Sequence, residues 1–438
     1  MISDRERGAI HMTQKDTIRA LQDGSYDKTL SRMYACAIEE VGPYRQRFID
    51  AIHAFAAEFN ENQDIALFSA PGRTELCGNH TDHQGGHVLA ASVNLDIIAV
   101  ASKRTDGQIR LKSEDYAMNE VDLADLYPQP GEINSSSALL RGIAAKFTHM
   151  GYLVTGFNAY TTSNVQRGSG ISSSAAFEVL VGNICNSFFA GGAVDPVTIA
   201  QIGQYAENTY FGKPCGLMDQ MASSVGGVIA IDFSGDQPEV IRTSVDLAAE
   251  GYALCILDSG ADHTDLTDAY AAIPAEMNAI ARALGKKKLS EVDKSVFGAS
   301  LRELRTECGD RAVLRAMHYF SDNERAQRAL KSLQHGYFKE YLREISSSGH
   351  SSFMYLQNVS VYDDPRHMEV ALTIALCKDL LGGRGAARVH GGGFAGTVQA
   401  YVPLDMLEDF RRQTESVLGE GYCHVLQIRS IGGLELVS

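Results

Sequence analysis

Between a β-like run ending near Thr162 and a helix opening at Ser172 lies Gly168-Ser169-Gly170-Ile171-Ser172-Ser173-Ser174-Ala175. Small residues let backbone amides approach a ligand, hydroxyls add donors, and a helix N-terminus carries about half a positive charge. The combination forms a cradle for an anion such as phosphate; a flexible turn with a Ser cap accounts for one serine and leaves three unexplained. A second segment, Ala70 to Gly86 (APGRTELCGNHTDHQGG), sets Arg, Asn, His and Asp among glycines between two apolar runs. That donor and acceptor set suits sugar hydroxyls. It is also longer than the roughly 4–6 residues that merely join strands. In the third, Pro214 to Met221 (PCGLMDQM), Asp219 stands between apolar residues. Such a carboxylate is either a cap or a site group. No GxxxxGK[ST] occurs, which argues against P-loop chemistry. Gly391, Gly393 and Gly396 fit GxGxxG, but the following TVQAYV alternates like a strand, whereas a dinucleotide fingerprint needs strand, loop and helix.

The elements that must position these residues come from a chain of 438 residues with net charge −15 and 45 % apolar residues. Two or three domains with sizeable cores follow from that length, and disorder is excluded. The acidic balance repels phosphate backbones and anionic lipid, so no nucleic-acid or membrane partner is expected. Lys286-Lys287-Lys288 is the strongest basic cluster and reads as a solvated surface. The most apolar stretch, Val88 to Ala101, is broken by Asn94 and Asp96 and is too short to span a bilayer. The N-terminal MISDRERGAI is charged where a signal peptide is apolar, giving a cytoplasmic expectation. Eight cysteines lie scattered without any CxxC, as buried thiols would.

Apolar spacing predicts helices over 17–21, 26–39 and 44–59, an N-terminal extension packing on the body. Strands are predicted at 66–69, 88–102, 108–112 and 153–162, followed by helices from Ser172 to Phe189 and from Pro196, which Asp195 caps. A strand over 227–233 closes this unit. The second half predicts a strand from Tyr252 to Asp258 and helices near 265–284, 311–333, 336–348 and 365–381. Strands near 387–389, 397–402 and 424–428 surround a helix at 404–418. Mixed elements in both halves indicate an α+β fold with a break near 235–250.

Jointly and in order, these segments resemble the galactokinases of the GHMP small-molecule kinase superfamily over roughly residues 43–435. APGRTELCGNHTDHQGG is similar to the galactokinase signature, GSGISSSAA to the phosphate-binding motif, CGLMDQ to the segment bearing the catalytic Asp, and VHGGGFAG to the third motif. After the helical extension (1–62) read from the apolar spacing, the resemblance implies a two-domain fold. A ribosomal-protein-S5 domain-2-like N-terminal domain (63–245) precedes a ferredoxin-like α/β C-terminal domain (246–438), with the active site between them. It implies an ATP-dependent sugar 1-kinase that makes galactose 1-phosphate with Mg2+. Its partners would be a small-molecule sugar and a nucleotide, and its state a monomer or weak homodimer. Asp219 falls on the general base toward the anomeric hydroxyl, and Arg73 on the Arg that keeps that Asp ionised. Ser174 and Glu207 match the Mg2+ ligands. Asn79, His80, Asp82, Gly216 and Tyr270 match sugar contacts, and Gly168, Ser169, Gly170, Ile171, Ser172, Ser173 and Ser174 the nucleotide loop. The chemistry agrees: phosphoryl transfer needs a cation, helix-end amides and an Arg around the transferred group.

The chain also departs from the family pattern. Asn79 stands where Glu is usual, at a position read as touching the sugar's O6. An amide can donate to a carboxylate, which keeps galacturonate open as an alternative substrate. His83 replaces Tyr, His390 replaces Thr, Asp262-His263 replaces an Arg-His pair, and the absence of Trp leaves the adenine contacts undefined. A non-catalytic sugar- and ATP-sensing regulator is the alternative from another class. Such relatives lack a Ser-Ala pair that this chain keeps at Ser174-Ala175.

Overall fold

The computed structural model describes residues 11–59, 63–165, 170–261, 266–361, 365–394 and 396–437. A two-residue strand, β1 (Met12–Thr13), leads into α1 (Gln14–Gln22), α2 (Asp27–Tyr34) and α3 (Gly42–Phe59). Two long antiparallel strands follow, β2 (Asp64–Cys77) and β3 (His87–Lys103), then β4 (Gln108–Ser113) and β5 (Asn119–Asp122). Helix α4 (Ser136–His149) precedes β6 (Gly156–Ser163), and α5 (Ser173–Ala190), α6 (Pro196–Ala206) and α7 (Met218–Val225) precede β7 (Val228–Asp232) and β8 (Glu239–Thr243). All eight strands join one sheet, in which β4 and β6 are parallel and the other pairs antiparallel.

Why the strand sequence is apolar at consecutive positions is explained by its two covered faces. Ile65, Leu67, Ile98 and Val100 pack into a core with Leu30, Phe48, Ile52 and Phe55 of the N-terminal helices. The alternate residues Ala66, Phe68, Ala99 and Ala101 pack with Val179, Leu180 and Ile184 of α5. Side chains alternate across a strand, so a sheet buried on both sides needs apolar residues throughout. The N-terminal extension is therefore one layer of the fold. Asp96 fastens it. This fully buried carboxylate accepts from Arg47 Nη1 (2.5 Å), Tyr34 Oη (2.9 Å), Ser69 Oγ (2.5 Å) and Arg429 Nη1 (3.3 Å). Burial pushes its pKa up, and the two guanidiniums outweigh burial and hold it low.

The second half begins with β9 (Tyr252–Asp258) and continues through α8 (Thr267–Ala283), α9 (Lys294–Ala299), α10 (Leu301–Cys308), α11 (Asp310–Gln334), α12 (Phe338–Ser351) and α13 (Glu369–Leu381). Strands β10 (Ala386–Val389) and β11 (Thr397–Pro403), helix α14 (Leu407–Leu418) and strand β12 (Cys423–Leu426) follow. Strands β10, β11, β9 and β12 form an antiparallel sheet in that order. The chain then returns to the first sheet, where β13 (Leu434–Leu436) pairs with β2 at Leu67–Ser69.

Several features differ from the sequence reading, among them the unexpected strands β5, β8 and β13. Residues 70–77, expected as half of a polar loop, continue β2, because register shifts at Pro71/Arg73 and Glu75/Cys77 absorb the proline. Helices α4, α7, α9 and α10 were not expected; the last three are only 6–8 residues long, too short for a periodic signal. The sixth strand starts at Gly156, not Leu153. Among the described residues, no helix is long and apolar enough to cross a membrane.

Candidate active site

Strand β2 carries Arg73 to the start of α5. A side chain at Gly72 would collide with Ile171, so this glycine lets the strand lie against the loop, and Arg73 N donates to Ile171 O at 2.9 Å. The Arg73 guanidinium donates through Nε and Nη2 to the two oxygens of Asp219, at 2.6 and 2.7 Å, and through Nη1 to Gly170 O. Helix α5 begins after Ser172, which sits in the left-handed region at φ 62° and makes no side-chain cap. Its hydroxyl instead donates to Asp219 Oδ2 at 2.6 Å. Among the described residues no side chain caps the first N–H groups of α5, which carry partial positive charge. Asp219 lies in the first turn of α7 with its side chain 29 % exposed. Burial raises its pKa, but the Arg73 charge and the Arg73 and Ser172 hydrogen bonds prevail and hold it below the usual carboxylate range.

His80 has a positive φ of 57° and its Nε2 donates to Gly392 O at 3.0 Å, which leaves Nδ1 as an acceptor. Burial lowers its pKa to about 4, so the ring is neutral at physiological pH. Asp82 lies against Gly216, where any β-carbon would strike its Oδ2. Tyr270 Oη donates to Gly393 O at 2.7 Å, and its ring meets Phe394 edge-on. The glycine-rich loop between β10 and β11 thus joins the 80–82 turn and α8, and a strand follows it as its sequence requires.

Asn79 is placed differently from the expectation. It is fully buried, and Nδ2 donates to Gly391 O at 2.7 Å and to both Glu75 oxygens at 3.1 Å. Its Oδ1 accepts from Asn358 Nδ2 (2.8 Å) and Ser352 Oγ (3.2 Å). Both donors and both lone pairs are used inside the protein. The amide joins β2 to the third-motif loop and to the α12 terminus, and has no free hydrogen for a sugar. Glu75 in turn pairs with Arg388 Nη2 at 2.6 Å.

Ser174 is exposed in the first turn of α5, whereas Glu207 is buried in a π turn (Glu207–Phe211) that extends α6. Gln220 Nε2 donates to Glu207 Oε2 at 3.0 Å and to Glu178 Oε2 at 2.9 Å. Burial, with Glu207 adding to it, pushes the Glu178 carboxyl well above the ordinary range. Glu178 and Gln220 were missed as site residues. The signal was present for Glu178, a lone carboxylate inside the apolar run 175–184, the same cue that singled out Asp219. His390, noted only as a departure, is buried beside Arg73. Gln399 Nε2 donates to Thr74 Oγ1 (2.7 Å), and the His390 ring bridges two hydroxyls, with Nε2 at 3.0 Å from Thr74 Oγ1 and Nδ1 at 2.9 Å from Thr397 Oγ1. Burial and then Arg73 hold this ring neutral. Gly168, Ser169, Asp262 and His263 lie outside the described residues. Among those described, no group of three or more His, Cys, Asp or Glu could by itself hold a metal ion.

The galactokinase galactose-binding signature matches residues 53–103, and the GHMP kinase N-terminal domain matches residues 138–227. Among solved structures, Lactococcus lactis galactokinase complexed with galactose is similar at TM-score 0.75 and 26 % identity, over 87 % of this chain and 97 % of that one. The Methanococcus jannaschii mevalonate kinase (TM-score 0.58, 12 % identity, 83 % and 98 % covered) shares the fold. So does a D-glycero-D-manno-heptose 1-phosphate kinase from Bacteriodes thetaiotaomicron (TM-score 0.56, 15 % identity, 85 % and 98 % covered).

Proposed function

We propose that this chain, which matches the galactokinase galactose-binding signature and the GHMP kinase N-terminal domain, is a galactokinase-like sugar kinase that transfers the γ-phosphoryl group of ATP to the anomeric hydroxyl of galactose. The observation that carries this reading is the Arg73–Asp219–Ser172 contact at the start of α5. Phosphoryl transfer depends on positioning and on charge stabilisation more than on covalent chemistry. The N-terminal amides of α5 and the hydroxyls of Ser173 and Ser174 suit the nucleotide phosphates. Asp219, kept ionised by Arg73, orients the attacking hydroxyl and takes its proton as the bond to phosphorus forms. Arg73, already aimed between Asp219 and the phosphate loop, offsets charge on the transferred group.

Mg2+ is the cation this chemistry calls for, and it would neutralise charge on the β- and γ-phosphate oxygens. Ser174 and Glu207 would hold it. Unpartnered buried oxygens beside Glu207, on Glu178 and Gln220, fit a hard cation.

The sugar side favours galactose over galacturonate. His80 Nδ1 and the Asp82 carboxylate are acceptors, suited to hydroxyl donors. Asn79 has no donor left for a C6 carboxylate, and Arg73 and Arg388 are already paired with Asp219 and Glu75. The test is ADP release from MgATP with galactose, galacturonate, N-acetylgalactosamine, glucose and arabinose. Galactose should give the highest kcat/KM. Binding of galactose and ATP without turnover of any sugar would instead support the sensing regulator.

A further inference from the structure

Two buried oxygens beside the phosphate end of the site, Glu178 Oε1 and Gln220 Oε1, have no hydrogen-bond partner among the described residues. Their residues are 0 % and 1 % exposed. Both belong to the cluster in which a single amide nitrogen, Gln220 Nε2, donates to a carboxylate of α5 at 2.9 Å and to Glu207 at 3.0 Å. Lys213 places its exposed ammonium 3.6 Å from Glu207 Oε1. Two carboxylates and an orphaned amide oxygen in a protein interior are unfavourable unless something meets them.

The cluster's place in the chain says what could. Ser174 stands four residues before Glu178, one turn along the same face of α5. Gln220 directly follows Asp219. The cluster is thus continuous with the phosphate side of the site, and its donors are all oxygen: two carboxylates, an amide carbonyl and a hydroxyl. Hard divalent cations prefer such sets. Two carboxylates do not make an all-protein cage, which agrees with the lack of a three-residue acidic or His/Cys group among the described residues. They suit a cation that takes one or two carboxylates from the protein and the rest from phosphates and water.

We propose that Glu178 is the second carboxylate of this enzyme's divalent-cation site, acting with Glu207, and that the Gln220 amide sets the spacing between the two. This rests on the phosphoryl-transfer reading of the same site.

The test needs no turnover. Mn2+ binding to the full chain in the presence of ADP is followed by the free-Mn2+ signal in electron paramagnetic resonance, for wild type, Glu178→Gln and Glu207→Gln. Both variants should weaken Mn2+ by at least about tenfold, while ADP affinity in EDTA stays within about twofold. Wild-type Mn2+ affinity in Glu178→Gln, with loss in Glu207→Gln, would overturn the proposal and leave Glu178 a packing residue. Should Glu178→Gln fail to fold, Glu178→Asp carries the same comparison: a shift in Mn2+ affinity at unchanged ADP affinity supports the assignment, and no shift overturns it. Because the readout is binding, failure of every sugar in the ADP-release assay would remove the kinase reading without bearing on this result.

Discussion

Arg73 and Asp219 are 146 residues apart in the chain, yet the guanidinium grips both oxygens of the carboxylate, at 2.6 and 2.7 Å. Paired, bidentate geometry of this kind fixes direction as well as charge. Arg73→Lys keeps the charge but loses the fork and the tie to Gly170 O. It should lower kcat by at least about tenfold, near 1.4 kcal/mol of barrier. It should also move the acid limb of the pH–rate profile upward, because the group holding Asp219 low has been weakened. An unmoved limb would contradict the assigned role.

His80 is held neutral by burial, with a pKa lowered to about 4. A folded-state pKa below the unfolded value of about 6.5 means that the unfolded chain binds more protons between these limits. The stability it contributes is complete above about pH 6.5 and is lost as pH falls toward 4. Glu75 and Glu178, whose pKa values burial raises, act in the opposite sense. The clean measurement is therefore the difference in melting temperature between wild type and His80→Gln, which should shrink steadily from pH 7 to pH 4.5. A constant difference would mean that His80 titrates normally.

Asn79→Asp is close to isosteric, but it sets a second carboxylate against Glu75 and removes the donor to Gly391 O. A buried like-charge pair and an unpartnered carbonyl should destabilise the fold by about 2–5 kcal/mol. Urea unfolding would measure this. The galactose-to-galacturonate ratio of whatever folds should not change, since the amide does not face the sugar. A stable variant with altered preference would return Asn79 to the sugar site.

Arg47 belongs to α3, and its contacts to Asp96 and to Thr162 O hold the N-terminal helices against the sheet. Arg47→Ala leaves the buried Asp96 with Arg429 as its remaining cation and should cost about 3 kcal/mol. Proteolysis within residues 23–43 should become faster. Equal cleavage rates in variant and wild type would show that the extension is held by its apolar face alone.

How far the sequence carried depended on whether a residue's partner was local. The helix of Ser172, the cap at Asp195 and the strand Tyr252–Asp258 were legible because period and capping are short-range. Residues from the motif segments do meet: Arg73 and Ser172 both bond Asp219, and His80 and Tyr270 both bond the 392–393 loop. Not legible was anything decided by a distant partner. Strand β2 runs on through Pro71 because a bulge accommodates the ring, and Leu434–Leu436 returns to it from the far end of the chain. Asn79 looked like a ligand-facing amide because Glu75, Ser352, Asn358 and Gly391, which saturate it, could not be seen around it. Glu178 was visible as a lone carboxylate in an apolar run, but its link through Gln220 to Glu207 joins segments distant in the chain and could not be read there.

On the proposed mechanism, the carboxylate fixed by Arg73 and Ser172 at the start of α5 receives the proton of the attacking sugar hydroxyl. Asp219→Asn preserves shape and removes that acceptor. Steady-state kcat with galactose and MgATP, measured beside a melting curve, tests it most directly. The variant's kcat should fall by at least about a hundredfold with the fold retained; a folded variant turning over at close to the wild-type rate would remove Asp219 from the mechanism.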